Sequence, residues 1–148
     1  MRAILYSALA LLLCACDNGS GNSGPTSLQD ARGQWLVINY WAQWCKPCIK
    51  EIPELNRLAQ DYPQISVLGV NYDGASGEQL QQQIEKLGIA FANLDTDPAP
   101  ELGLPRPMVL PTTLILTPQG EHSATLVGPQ TTESLLRATG QVSSDDKP

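Results

Sequence analysis

The sequence predicts an α/β domain built on a β-sheet covered on both faces, and three observations predict it. Near-continuous apolar runs rich in β-branched residues alternate with segments of helical periodicity between residues 28 and 142. Apolar runs of that kind suit strands buried on both sides. The chain then closes with a turn signal between two short strand candidates and an amphipathic segment, which adds a hairpin and a helix to the alternating pattern.

The elements follow in order. Trp35-Leu36-Val37-Ile38-Asn39-Tyr40-Trp41 is the first buried strand, and residues 65–70 are the second. Between them, Ile49, Ile52, Leu55 and Leu58 recur at helical spacing, with Pro53 expected to kink the helix. Asp73-Gly74-Ala75-Ser76 breaks the chain, and residues 78–87 read as a Gln-rich surface helix stopping near Gly88. Residues 89–94 form a short strand candidate. Residues 95–108 are crowded with prolines and predict loop, with at most one helical turn around Glu101. Residues 112–116 and 124–127 are strands joined across Pro118-Gln119-Gly120, and residues 131–140 are the last helix.

At 148 residues the chain has room for one domain and its appendages. Net charge is −6 with Lys and Arg scattered, so no basic patch for nucleic acid is expected. A single small domain with scattered charge is expected to be a monomer.

The N-terminus reads as an address. Met1-Arg2 is a short positive region followed by an apolar run over residues 3–13. That run falls well short of the roughly 20 residues needed to span the bilayer, so it reads as a secretory signal over residues 1–15. Leu13-Cys14-Ala15-Cys16 resembles the lipobox of bacterial lipoproteins, which implies cleavage before Cys16 and lipidation of Cys16. Leu13 is too bulky for the position just before a lipidated Cys14. Residues 16–27 are rich in Gly, Ser and Asn and form a flexible tether. Asp17 resembles the inner-membrane retention signal of enterobacterial lipoproteins. Residues 143–148 are a polar tail.

With Cys14 removed and Cys16 blocked, Cys45 and Cys48 are the remaining thiols. They stand where a buried strand gives way to a helix, in Trp44-Cys45-Lys46-Pro47-Cys48. A thiolate is the reactive form, and the first turn of a helix stabilises an anion through unpaired N–H groups and its positive dipole end. Cys45 is thus the better placed attacking thiol. Cys48 lies one turn on, on the same face, as the resolving thiol. Pro47 forfeits only an N–H that would have gone unpaired. Two plainer readings compete. A zinc site needs about four ligands, and His122 is the only histidine. A structural disulfide closing so short a loop stabilises little.

Trp-Cys-Lys-Pro-Cys after an apolar strand resembles the thioredoxin active site, most closely that of the tethered extracytoplasmic branch of TlpA/ResA-like thiol-disulfide oxidoreductases. Asn39-Tyr40-Trp41-Ala42, Glu51-Ile52-Pro53-Glu54-Leu55 and Leu110-Pro111-Thr112-Thr113 carry the same resemblance, which covers residues 28–141. It implies the thioredoxin fold, a central mixed β-sheet flanked by helices on both faces, with Pro111 as a cis-proline opposite the dithiol. It also implies a substrate groove bordered by Trp44, Leu110 and Pro111, and no cofactor. Thioredoxins proper carry a buried aspartate where this chain has Asn39. Asparagine cannot take a proton, and Glu51 matches the active-site glutamate of the branch. The alternative is that Glu51 is a solvated acid of the first helical turns. Trp41 is expected to pack, His122 to be an exposed hairpin residue, and Pro105 and Pro107 to stiffen a loop. Only a short tether precedes residue 28, where the branch commonly has a further hairpin.

The resemblance implies reduction of exported proteins of the cytochrome c or copper-site assembly type, on the periplasmic side of a lipid membrane. Electrons would come from a membrane thiol transporter. A disulfide-forming oxidase and a non-catalytic tethered binding module are the competing functions.

Overall fold

The structure, a computed structural model, describes residues 26–142. The expected signal peptide, Cys14, Cys16, Asp17 and residues 143–148 lie outside the described residues. The last two residues of the expected tether are included, and the Ser27 hydroxyl donates to the Asp30 carboxylate at 2.7 Å.

The chain runs β1 (Trp35–Trp41), α1 (Lys46–Asp61), β2 (Ile65–Asn71), α2 (Gly77–Leu87), β3 (Ala92–Leu94), β4 (Thr112–Leu116), β5 (His122–Val127) and α3 (Thr132–Ala138). The strands form one mixed sheet in the order β3-β2-β1-β4-β5. β1, β2 and β3 are parallel, whereas β4 and β5 join antiparallel. Central β1 and β2 are the apolar runs the sequence marks, and alternate residues face opposite cores. α1 runs unbroken past Pro53, and Gly88 ends α2 with φ 66°, the left-handed turn that glycine adopts without a Cβ penalty.

The α/β class and the mixed sheet are as expected, but the two faces are not covered alike. Parallel crossovers are right-handed, so β1-α1-β2 and β2-α2-β3, which step in one direction, place α1 and α2 on one face. α3 joins them. All three contribute buried side chains to one cluster with Val37, Trp41, Val67 and Ile115. The opposite cluster, formed by Leu36, Ile38, Tyr40, Leu68, Val70, Leu114 and Leu116, is covered by non-helical segments among the described residues. Leu28 and Ala31 close it from the N-terminal turns, and Leu102, Leu104 and Leu110 from the β3–β4 connection. The helices on both faces that the resemblance implies thus lie on one face among the described residues. On the other, the prolines at 98, 100, 105 and 107 keep the connection non-helical, as the sequence of residues 95–108 predicts.

Two strand bounds also differ. β3 begins at Ala92 rather than residue 89, because Ile89 and Phe91 are spent on the helix-face core. β5 begins at His122 rather than residue 124, since a register shift beside Leu116 lets the strand pair two residues earlier.

The β3–β4 connection is tied down at several points. The Arg106 guanidinium stacks on Tyr72, 4.0 Å from the ring centre, pairs with Asp97 at 3.1 Å and donates to the Tyr72 carbonyl. Tyr72 returns a bond from its hydroxyl to the Pro107 carbonyl, and Tyr40 donates to Asp97 at 2.7 Å. Burial first, and then Asp97, holds the Tyr40 hydroxyl protonated well above its ordinary range. On the helix face, the Trp41 indole donates to Asn93 at 2.8 Å directly over Gly69. A Cβ at Gly69 would lie 2.1 Å from Asn93 Oδ1 and 2.9 Å from Trp41 Nε1.

Candidate functional site

The dithiol occupies the β1–α1 junction. Cys45 is the N-cap of α1 in an extended conformation, and its sulfur accepts from the Cys48 amide at 3.2 Å. That bond uses one of the unpaired N–H groups of the first turn, so the cap atom is itself the candidate nucleophile. Pro47 follows within the first turn, as expected. The two sulfurs are joined in a disulfide of 2.05 Å, with the Cα atoms 5.3 Å apart. Both cysteines are buried in the helix-face cluster. A thiolate formed at Cys45 would sit at the positive end of a 16-residue helix.

Glu51 follows one turn beyond Cys48, and it is 2% exposed. The reading of Glu51 as a solvated acid is therefore set aside. Asn39 Nδ2 donates to Glu51 Oε1 at 2.7 Å, and the Gln130 backbone N–H donates to Oε2 at 2.8 Å. Asn39 Nδ2 also reaches Thr113 Oγ1 at 3.1 Å. Burial pushes the Glu51 carboxyl above its ordinary range, against the opposing pull of the Gln130 N–H and the Asn39 amide. A buried acid with a raised proton affinity, on the helix that carries the dithiol, is suited to exchanging a proton with a neighbouring group.

Glu54, one turn further, serves a different end. Its carboxylate accepts from the Thr132 amide at 2.9 Å and from the Thr132 hydroxyl at 2.7 Å, clamping α1 to the start of α3. These bonds, with Thr132 first, lower its proton affinity.

Trp44 is 61% exposed beside Cys45, and its indole donates to both Asp73 oxygens at 2.9 and 3.1 Å. Asp73 belongs to the chain-breaking segment of the sequence, where nothing signalled a partner for Trp44. The Leu110–Pro111 bond is cis. Leu110 packs partly buried against the cluster that holds both cysteines, and Pro111 accepts from the Gly128 amide at 2.9 Å. Met108 and Val109, just before them, are exposed. Trp41 is fully buried, and His122 lies on the surface with its Nε2 2.8 Å from Thr125 Oγ1. Thus Cys45, Cys48 and Glu51 follow one another along the start of α1. Leu110 packs against the same cluster as the cysteines with Pro111 next in the chain, and Trp44 stands exposed just before Cys45. Gln130 was missed because it acts through its backbone, which leaves no residue signature.

The AhpC/TSA family pattern matches residues 13–121. Sporulation thiol-disulfide oxidoreductase A of Bacillus subtilis is 32% identical over 112 residues, covering 73% of this chain and 68% of that protein. The thiol:disulfide interchange protein HelX of Rhodobacter capsulatus is 30% identical over 119 residues, covering 79% and 66%. Among solved structures, a DsbF homologue from Corynebacterium diphtheriae superposes with a TM-score of 0.63 at 27% identity, covering 75% of this chain and 73% of that one. The chain spans between 37% and 68% of the length of the curated relatives it matches. With the fold, the cysteine pair and these matches together, the chain belongs to the AhpC/TSA family, as a thioredoxin-like protein of the TlpA/ResA-like branch.

Proposed function

We propose that the chain is an extracytoplasmic thiol-disulfide oxidoreductase that exchanges disulfides with proteins through Cys45 and Cys48. The observation that carries this reading is a dithiol whose first sulfur caps the active helix, with a buried acid one turn beyond its second. In the reducing direction the Cys45 thiolate attacks a substrate disulfide, forming a mixed disulfide and releasing one substrate thiolate. Cys48 then gives its proton to the Glu51 carboxylate and attacks the Cys45 sulfur. The Cys45–Cys48 bond forms, the mixed disulfide breaks, and the second substrate thiolate leaves and takes up a proton. Trp44, Leu110 and Pro111 border the groove in which the substrate lies.

The direction is reduction, with exported proteins of the cytochrome c or copper-site assembly type as substrates and a membrane thiol transporter as the electron donor. Cys16 carries the lipid anchor at the end of the 16–27 tether, on the periplasmic side of the inner membrane, and the 28–142 domain works as a monomer. Relatives named as thiol-disulfide oxidoreductases support the chemistry.

A Cys48→Ala variant tests it. Substrates should accumulate as mixed disulfides on Cys45 and be identified by mass spectrometry. If a variant lacking both cysteines retains full function, the chain is a binding module instead. Equilibration with glutathione tests the direction, and a midpoint near about −120 mV, as for strong oxidants, would reassign it as an oxidase.

A further inference from the structure

We propose that Asn39 is a positioning residue whose side-chain amide turns over with the protonation of Glu51, offering Nδ2 to the carboxylate and Oδ1 to the carboxylic acid. The turnover stands on the geometry around Glu51. Its use in catalysis rests on the reading of Glu51 as the acceptor of the Cys48 proton.

Both Glu51 oxygens are met by N–H donors, Asn39 Nδ2 at Oε1 and the Gln130 amide at Oε2. An N–H cannot accept, so this arrangement fits the ionised acid. A proton on the lone pair that either N–H now uses sets donor against donor. The Gln130 donor belongs to the backbone and has no second orientation, whereas the Asn39 side chain has one. A half-turn about its terminal torsion exchanges Oδ1 and Nδ2, at little cost in a broad two-fold torsion. Oδ1 would then accept the Glu51 proton at Oε1.

Two further features fit. Asn39 Oδ1 is buried and has no partner, so its acceptor is idle in the present orientation. The half-turn would use it at Oε1 and carry Nδ2 to the position without a partner. Asn39's second neighbour is the Thr113 hydroxyl, which can either accept or donate and so tolerates both orientations. An aspartate at position 39 would bring a second carboxylate to 2.7 Å from the first, and a leucine could answer neither form.

Among the described residues, no charged group is paired with Glu51. β1 and β4 present only Asn39 and Thr113 here, and Gln130 comes from the segment before α3. On α1, Lys50 is exposed, and Glu54 is engaged by Thr132 and Arg57. Glu133 and Arg137 of α3 pair with each other. Among the described residues no ion pair includes Glu51, and Cys45 and Cys48 do not titrate as a disulfide.

The test is an NMR pH titration of the oxidised full chain with ¹³C-labelled glutamate and ¹⁵N-labelled asparagine. The Glu51 carboxyl carbon and the Asn39 side-chain amide should move through one shared midpoint. A Glu51 titration that leaves the Asn39 amide signals unmoved overturns the proposal. Asn39→Leu gives a second measurement. An amide fixed as a donor serves only the ionised form, and its loss would raise the proton affinity of Glu51 roughly tenfold. An amide that turns over serves both forms, and its loss should move the midpoint much less. A full tenfold rise in a folded Asn39→Leu protein therefore counts against the proposal. Substrate reduction as a function of pH separates the two levels. If Glu51 and Asn39 titrate together while the reduction rate ignores their midpoint, the turnover stands and the proton-acceptor role of Glu51 fails.

Discussion

The two faces of the sheet are built from the same strands and solve different problems. On the helix face, apolar packing is interrupted by Asn39, Glu51 and Thr113, three buried polar groups joined to one another beside the dithiol. On the other face, the cluster beneath the β3–β4 connection is largely apolar; the buried Tyr40 bonds through its hydroxyl to Asp97, and Arg106 and Tyr72 hold the connection in place. Buried polar groups cost stability unless they are paired, and Asn39, Glu51 and Thr113 stand where the proposed chemistry needs a proton held away from water. The loop-covered face needs only to stay shut.

Mutations can sharpen or break that contrast. The largest effect is expected from Leu55→Ala. This fully buried α1 residue packs in the cluster that holds both cysteines, and its truncation should cost about 2–5 kcal/mol in urea unfolding. Gly69→Ala comes next, because its Cβ would meet Asn93 Oδ1 at 2.1 Å. A loss of about 1–3 kcal/mol is expected, and an Asn93→Ala partner should recover part of it in a double-mutant cycle. On the loop face, Arg106→Gln removes a half-exposed ion pair and a cation–π contact, together worth about 1 kcal/mol. It should speed amide exchange around residues 102–110 and leave the dithiol midpoint in glutathione where it was. A shifted midpoint would mean that the two faces are not separate after all.

The smallest effects are pH slopes of opposite sign. The folded-state proton affinity of Glu51 is raised above the ordinary 4.5. Its contribution is therefore fully present below that pH and is lost as pH rises through the folded value. Glu51→Gln should flatten that decline in denaturation curves taken at stepped pH. Glu54 is lowered from 4.5, so its contribution is present above that pH and is lost as pH falls through the folded value. Glu54→Gln should flatten the acid side instead.

Much of this was legible in the sequence, for identifiable reasons. β1, β2 and β4 are long apolar runs whose pattern is set by burial on both sides, and α1 declares itself through Ile52, Leu55 and Leu58. The dithiol was legible because two cysteines at that spacing have few other uses. The covering of the second face was not, because it depends on crossover handedness and on irregular backbone rather than on periodicity. The burial of Glu51 was also hidden. A glutamate on an amphipathic helix reads as solvated unless its donors are known, and one of those donors is the backbone of Gln130, far along the chain. Asp73 was read as a chain breaker, while its carboxylate is committed to Trp44.

The β3–β4 connection has a consequence for how the chain tolerates insertion. A proline-rich stretch of residues 95–111 would ordinarily be chosen for an epitope tag or a grafted peptide, as surface loops accept added length at little entropic cost. Here it traverses the sheet from the β3 edge to β4, past β2 and β1, and its leucines are the roof of a core. Added length near residue 103 would lift that roof, whereas the turn at Pro118-Gln119-Gly120 merely joins two adjacent strands. A tag accepted at the hairpin and rejected at the connection, scored by soluble yield, would show that the connection serves as a layer of the domain.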